Sequence, residues 1–523
     1  MRPFEILVLI ATLLAFFALA LPLPRSISLL KFLAPIALLV AVAQVLTEGW
    51  RWQMVPAYVL TGLFFLAWLS RNIAPAGWTT GWKWTSQLAC DITIGLGIFG
   101  LVATIALPIV FPVFRFPHPS GRYEIGTVTY HWMDAGRPEI FGTVPKARRG
   151  LMVQLWYPAK EHPSAPRSAY MPEADAVTAA FARIHQKPQF MFGHFKYITT
   201  NAVSSAAVAL DRPSYPVLLF LEGATGFRQM NMFQVEDLVS HGYIVAAIDQ
   251  PGAAADVVFP DGHEVTGLTL DQMGLVRQSY MPAEKPPTLN GRTFEHGIIP
   301  YLAQDVDFTL DRLTALNQSD PAGILTGRMD LLHAGGFGIS LGGIVLGEAC
   351  RLEPRLRACL AIDAPMPTDV VTAGLRQPTM WITRDAATMR LERQRAGGWP
   401  EAEIEAHQAT MRTVYQSLPG HGYFVQVPGM FHSNFTDIPN WSPLASRLGL
   451  TGPINGQRAH DIVKAYSLAF FDLHLRDRPA PLLDGPAERY PDVLFETRRP
   501  AVGGRAQSSA WVDVADVALR WLQ

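Results

Sequence analysis

The chain has 523 residues, with 43 basic and 44 acidic side chains and a formal net charge of −1. A balance this even, with no basic run, removes the electrostatic argument for a nucleic-acid partner. The length exceeds a single domain of roughly 100–250 residues, so more than one structural unit is expected.

The charges are unevenly placed. Residues 1–114 hold nine of them (Arg2, Glu5, Arg25, Lys31, Glu48, Arg51, Arg71, Lys83 and Asp91), against 78 in the remaining 409 residues. Four apolar runs fill this front: Ile6–Leu23, Ile27–Leu46, Met54–Leu69 and Leu88–Val113. A hydrocarbon core of about 30 Å takes about 20 apolar residues of helix, so the front reads as an all-α transmembrane segment of about four helices. Trp50, Trp52, Trp68, Trp78, Trp82 and Trp84 stand near the run ends, where indoles favour a membrane interface.

Arg2 before the first run and "ALALPLP" at its end also fit a cleaved signal peptide, but Glu5 and the runs that follow favour a retained anchor. Arg25, Lys31, Arg71 and Lys83 flank one side of the runs and Arg2, Arg51 and Arg115 the other, a small bias toward an extracytoplasmic catalytic part. The expectation is a multi-pass integral membrane protein whose spans anchor it. Cys90, Cys350 and Cys359 suggest neither a disulfide framework nor a metal site, so they leave the compartment open.

Residues 115–122 read as a linker and 123–523 as an α/β domain. Thr127–Asp134 and Gly150–Ala159 look like a leading strand pair. Apolar strands follow at Tyr215–Gly223, Tyr243–Gly252, "LLHAGGFGIS", Arg357–Pro365, Pro378–Asp385 and Tyr423–His432. Helical patterns at Met232–Gly242, Leu302–Asn317, Gly342–Leu352 and Gly456–Leu475 separate them. Alternation of continuous apolar strands with helices predicts a mostly parallel sheet covered on both faces, with a site beyond the carboxyl ends of its strands.

At such an end stands Gly338-Ile339-Ser340-Leu341-Gly342, a G-x-S-x-G turn from strand to helix that would present the Ser340 hydroxyl above the sheet. A hydroxyl needs a base before it becomes a nucleophile, and His432, after the last apolar strand, is the best-placed imidazole. The carboxylate that would orient the imidazole is Asp363 or Asp385, since both end apolar strands and periodicity favours neither. A tetrahedral oxyanion needs amide donors. The residue after the nucleophile, Leu341, supplies one, and the loop Leu221–Phe227 is the expected source of the second. Pro400–Leu418 reads as an amphipathic helix capping the site, and Asp134, Arg137 and Glu139 as structural charge pairs. No zinc, P-loop or dinucleotide motif occurs in a supporting context, so neither a metal nor a cofactor is expected.

"LMVQLWYPA", "GATGFRQ" followed by "DLVSHGYIVAAIDQPG", "DFTLDRLTALN", "GRMDLLHAGGFGISLGG", "CLAIDAP" and "HSNFTD" occur in that order over 123–497. Together they resemble the plasma platelet-activating-factor acetylhydrolase family, a serine lipase-like branch of the α/β-hydrolases. The resemblance implies a triad of Ser340, Asp363 and His432, prefers Asp363 to Asp385, and points to the Ala224 amide as the second oxyanion donor. Two positions depart from the family pattern, Ile339 where a histidine is common and Glu222-Gly223 in the oxyanion loop, and both are candidates for substrate specificity. The expectation is a membrane-anchored serine esterase acting on a small-molecule or lipid ester, with short or oxidised acyl groups on phospholipids implied. An acyltransferase using the same acyl-enzyme and a non-catalytic membrane receptor on the same fold are the rivals. The oligomeric state is not legible.

Overall fold

The computed structural model describes residues 1–20, 30, 32–72, 87–142, 144, 146–160 and 165–500. Trp78, Trp82 and Trp84, the basic residues Arg25, Lys31 and Lys83, and residues 501–523 of the expected catalytic domain lie outside them.

The apolar front folds as four helices: α1 (Pro3–Ala20), α2 (Leu33–Glu48), α3 (Val55–Asn72) and α4 (Gln87–Val110). Among the described residues only one stretch, Trp52–Ser70, is long and apolar enough to cross a membrane. Pro3–Leu19, Leu33–Glu48 and Gly97–Val110 are apolar but shorter. At 1.5 Å per residue the 16 residues of α2 rise about 24 Å, short of a core of about 30 Å. Among the described residues the expected count of four spans is therefore corrected to one candidate span. Arg2, Glu5, Glu48 and Arg51 gather at one end of the four helices, where a buried Arg51–Glu5 pair closes at 2.7 Å and Arg2 reaches Glu5 at 2.8 Å.

The rest of the chain is built on an eleven-stranded sheet. In chain order its strands are β1 (Glu124–Pro138), β2 (Arg148–Ala159), β3 (Arg167–Ala169), β4 (Thr199–Ser204), β5 (Tyr215–Leu221), β6 (Ile244–Asp249), β7 (Met329–Ile339), β8 (Leu356–Ile362), β9 (Thr379–Thr383), β10 (Gly422–Gln426) and β11 (Leu494–Arg498). Their spatial order is β11-β10-β9-β8-β7-β5-β6-β2-β1-β4-β3. The six strands from β10 to β6 pair in parallel. The pairings β2–β6, β1–β2, β3–β4 and β10–β11 are antiparallel. This is the mostly parallel, two-sided sheet expected. The short strands β3 and β4 and the closing strand β11 carry too few apolar residues to be read as strands in the sequence.

Alternate residues of the central strands enter opposite cores, as the period of two requires. Val217, Leu219 and Leu221 of β5 face one core, together with the helices Ile299–Gln318, Leu341–Leu352 and Glu401–Ser417. Leu218 and Phe220 face the other, under Met232–Ser240 and Gly456–Arg476. The charges of the opening hairpin are structural pairs, as read: Arg137 meets Asp134 at 2.5 Å and Asp305 at 2.7 Å, and Arg149 meets Glu139 at 2.9 Å.

The cysteines bring a correction. Cys350, near the end of helix Leu341–Leu352, is disulfide-bonded to Cys359 in β8, with both side chains buried. The two sit on separate elements, and a separation of nine residues matches no framework or metal spacing, so only the folded helix–strand return brings them together.

Candidate active site

Parallel register aligns the carboxyl ends of β7, β8 and β9. Ile339 pairs with Ile362 and Ile362 with Ile382, so Ser340, Asp363 and Thr383 succeed one another across the sheet edge. The Ser340 amide donates to the Ile362 carbonyl and the Asp363 amide to the Ile382 carbonyl, each at 2.9 Å. Ser340 adopts φ 54°, ψ −121° and Asp363 φ 46°, while Thr225 in the loop after β5 has φ 62°. Positive φ in side chains with a Cβ is strained, and three of the eight such residues described lie at this edge.

The glycines around Ser340 are required by close approach. A Cβ on Gly338 would lie 2.4 Å from the Gly342 carbonyl oxygen, and one on Gly342 would lie 2.1 Å from that of Leu221. The loop after β5 runs just as close, since a Cβ on Gly223 would stand 3.3 Å from the Ser340 Cβ. Leu341 is the first residue of its helix, so its amide has no intrahelical acceptor. Neither that amide nor the half-buried Ala224 amide donates a hydrogen bond among the described residues.

His432 is in a short turn after β10, and its Nδ1 lies 2.5 Å from Asp363 Oδ2. Its loop is tied down by Asn434, whose Oδ1 accepts from the Phe431 and Gly452 amides at 2.8 and 2.7 Å. Five residues beyond His432, Asp437 accepts from the Met232 and Phe233 amides at 2.8 and 3.0 Å and so caps the helix that follows the "GATGFRQ" loop. In "HSNFTD" the Asn therefore fixes the histidine turn itself, and the Asp binds it to the other side of the site.

Asp363 is fully buried. Burial alone would raise its carboxyl, but the Arg384 charge beside it, with the contact to His432, holds it well below the usual carboxylate range. Asp385 does different work: it caps helix Ala386–Ala396 by accepting from the Thr388 amide at 2.9 Å and hydroxyl at 2.7 Å. The fold thus brings Asp363, not Asp385, to the imidazole.

Glu222 and Ile339 are both buried. Glu222 Oε1 accepts from the Gln250 amide at 3.3 Å, and burial together with the neighbouring Asp249 charge pushes the acid well above its ordinary range. The Ile339 side chain packs in the core under the sheet. Any influence of these two on substrate therefore passes through the loop and turn they support. Four neighbours escaped the sequence reading: Thr383, Arg384, Glu392 and Trp399. The Trp399 ring packs against His432 with 5.1 Å between centroids, and "ITRD" and "GGWP" have no spacing that would single these residues out.

Residues 109–479 match the model of the family described as platelet-activating factor acetylhydrolase, isoform II. The chain belongs to that family. A protein of Arthroderma benhamiae named probable 1-alkyl-2-acetylglycerophosphocholine esterase is 24% identical over 425 residues, covering 77% of this chain and 98% of that one. A platelet-activating factor acetylhydrolase of Gallus gallus is 20% identical over 389 residues, covering 69% and 84%. Among solved structures, a ferulic acid esterase from Streptomyces cinnamoneus superposes with a TM-score of 0.54 at 27% identity, covering 73% of this chain and 99% of that one. The fold is that of an α/β-hydrolase esterase, and the chain is a carboxylic ester hydrolase.

Proposed function

We propose that the chain is a serine esterase attached to a lipid surface, cleaving short-acyl esters of phospholipid type through Ser340, His432 and Asp363. The observation that carries the reading is the 2.5 Å contact of His432 Nδ1 with a buried Asp363 carboxylate, one strand away from a strained serine at the start of a helix. Asp363 fixes the imidazole tautomer that leaves Nε2 free as a base. His432 takes the Ser340 proton as Oγ attacks the ester carbonyl, and then delivers it to the departing alcohol. Water enters the acyl-enzyme by the same proton route and releases the acid, restoring Ser340. The Ala224 and Leu341 amides hold the oxyanion, a contribution of about 3–4 kcal/mol where a single donor is removed from such a site.

Two features support a lipid substrate. Relatives carry phospholipid-esterase names, and the front presents exposed Leu39, Phe99 and Val102 together with Leu63 and Leu66 of the candidate span Trp52–Ser70. The Cys350–Cys359 bond fits an oxidising compartment and so an extracytoplasmic catalytic part.

The test is a panel of simple esters and acetyl-glycerophospholipids, assayed on wild type beside Ser340→Ala. Turnover should vanish in the variant along with fluorophosphonate labelling, while circular dichroism stays unchanged. Retained turnover would remove Ser340 from the chemistry.

A further inference from the structure

Asp363 has more partners than the orientation of an imidazole requires. Its Oδ2 faces His432 Nδ1 and, at 2.7 Å, Arg384 Nε, whose N–H is not aligned on it, so this second contact is an ion pair by proximity. Its Oδ1 accepts from the Thr383 hydroxyl at 2.9 Å and the Arg384 amide at 3.3 Å. The Arg384 side chain is fully buried, with its guanidinium 4.3 Å from the centre of the Trp399 ring. Its Nη1 also pairs with the Glu392 carboxylate. That carboxylate in turn accepts the main-chain N–H of His432, with oxygens at 3.1 and 3.3 Å.

These contacts close a ring: His432 ring, Asp363, Arg384, Glu392, His432 backbone. It comes from four separate pieces of chain, the ends of β8 and β9, the helix Ala386–Ala396 and the turn after β10. The histidine is held at both its side chain and its main chain, and one guanidinium joins the two carboxylates that hold it.

The ring also has a charge logic. With a neutral imidazole, two carboxylates and one guanidinium sum to one negative charge, and the imidazolium formed during acyl transfer brings the sum to zero. Burying a net charge is costly, and the ring is neutral only while that proton sits on the imidazole. The remaining titratable group against Asp363 is His407 of helix Glu401–Ser417, 3.7 Å from Oδ1. Burial pushes it down to about 4, so it adds no charge near neutral pH.

We propose that Arg384 and Glu392 are positioning residues that hold His432 in register and set the pH range over which it serves as base. The proposal rests on the triad reading above. Its signature is a pair of opposite shifts. Without the guanidinium two negative charges face the imidazole, so the acidic limb of kcat/KM in Arg384→Gln should move to higher pH by about one unit. Without the Glu392 charge the ring is neutral before the proton arrives, and the limb in Glu392→Gln should move to lower pH.

The experiment measures kcat/KM for p-nitrophenyl acetate from pH 4.5 to 9 on the full-length chain. Wild type, Arg384→Gln, Glu392→Gln and Arg384→Lys are compared, with the last expected to keep the wild-type limb while losing kcat. Limbs that stay in place, or that move in the same direction, overturn the proposal even if activity falls. Should Arg384→Gln lose its circular dichroism signal, the downward shift in Glu392→Gln decides alone. Fluorophosphonate labelling of wild type at Ser340 separates the two levels: absent labelling sinks the triad reading, and labelling with unmoved limbs sinks only the ring.

Discussion

At the scale of single residues, the site distinguishes two aspartates that end neighbouring strands. Asp363 is buried against His432 and Arg384, whereas Asp385 spends both oxygens on Thr388 at the start of a helix. Asp363→Asn should lower kcat by a factor of about 10⁴, because the amide can stabilise the wrong imidazole tautomer. Asp385→Ala should leave kcat nearly intact and remove a helix cap, lowering stability by about 1 kcal/mol. Initial rates and urea unfolding on both variants check the pair; a larger rate loss at Asp385 would reverse the assignment.

At the scale of elements, the helix that starts after Ser340 and the strand that ends before Asp363 are joined covalently. The Cys350–Cys359 bond links the far end of that helix to the middle of that strand, so the two elements that position Ser340 and Asp363 share a fixed spacing. Cross-links closing loops of this size contribute about 2–4 kcal/mol. The double variant Cys350→Ser, Cys359→Ser should lose about that much in denaturant unfolding, with the wild type losing a similar amount once fully reduced. Equal unfolding midpoints for oxidised and reduced wild type would deny the bond a stabilising role.

At the scale of the whole molecule, the helical front is packed on the catalytic part rather than tethered to it. The Trp52 ring lies 5.4 Å from Phe111 and 5.5 Å from Phe190, and the Tyr197 hydroxyl donates to the Trp50 carbonyl at 2.9 Å. Aromatic contacts continue inward. Phe195 meets Trp441 at 4.8 Å, in the short helix after the histidine turn, and Phe181 meets Phe227 at 5.9 Å, in the loop after β5. Phe114 belongs to this block, 5.2 Å from Phe116 and 5.9 Å from Tyr170. The expected boundary after residue 114 therefore cuts through packed core. A chain starting at residue 109 should be more stable than one starting at 115 by several kcal/mol, about the cost of deleting a buried phenylalanine. Thermal unfolding of the two truncations measures it, and matching midpoints would restore the boundary at 114.

By itself the sequence determined the periodic parts: continuous apolar strands alternating with amphipathic helices, and the glycine-flanked serine at one junction. These are local patterns, carried by residues close in the chain, and the family resemblance implied Ser340, Asp363 and His432 in that order. Several features needed the tertiary structure. Span length depends on where helices begin and end, and among the described residues only Trp52–Ser70 is long and apolar enough to cross a membrane. Asp363 and Asp385 are equivalent by periodicity; the family resemblance prefers Asp363, and strand register and a helix cap put the two carboxylates in different surroundings. The Cys350–Cys359 bond and the Asp363–Arg384–Glu392–His432 ring join side chains on different elements. Which of these face one another is decided by how the elements pack, and no local spacing carries that information.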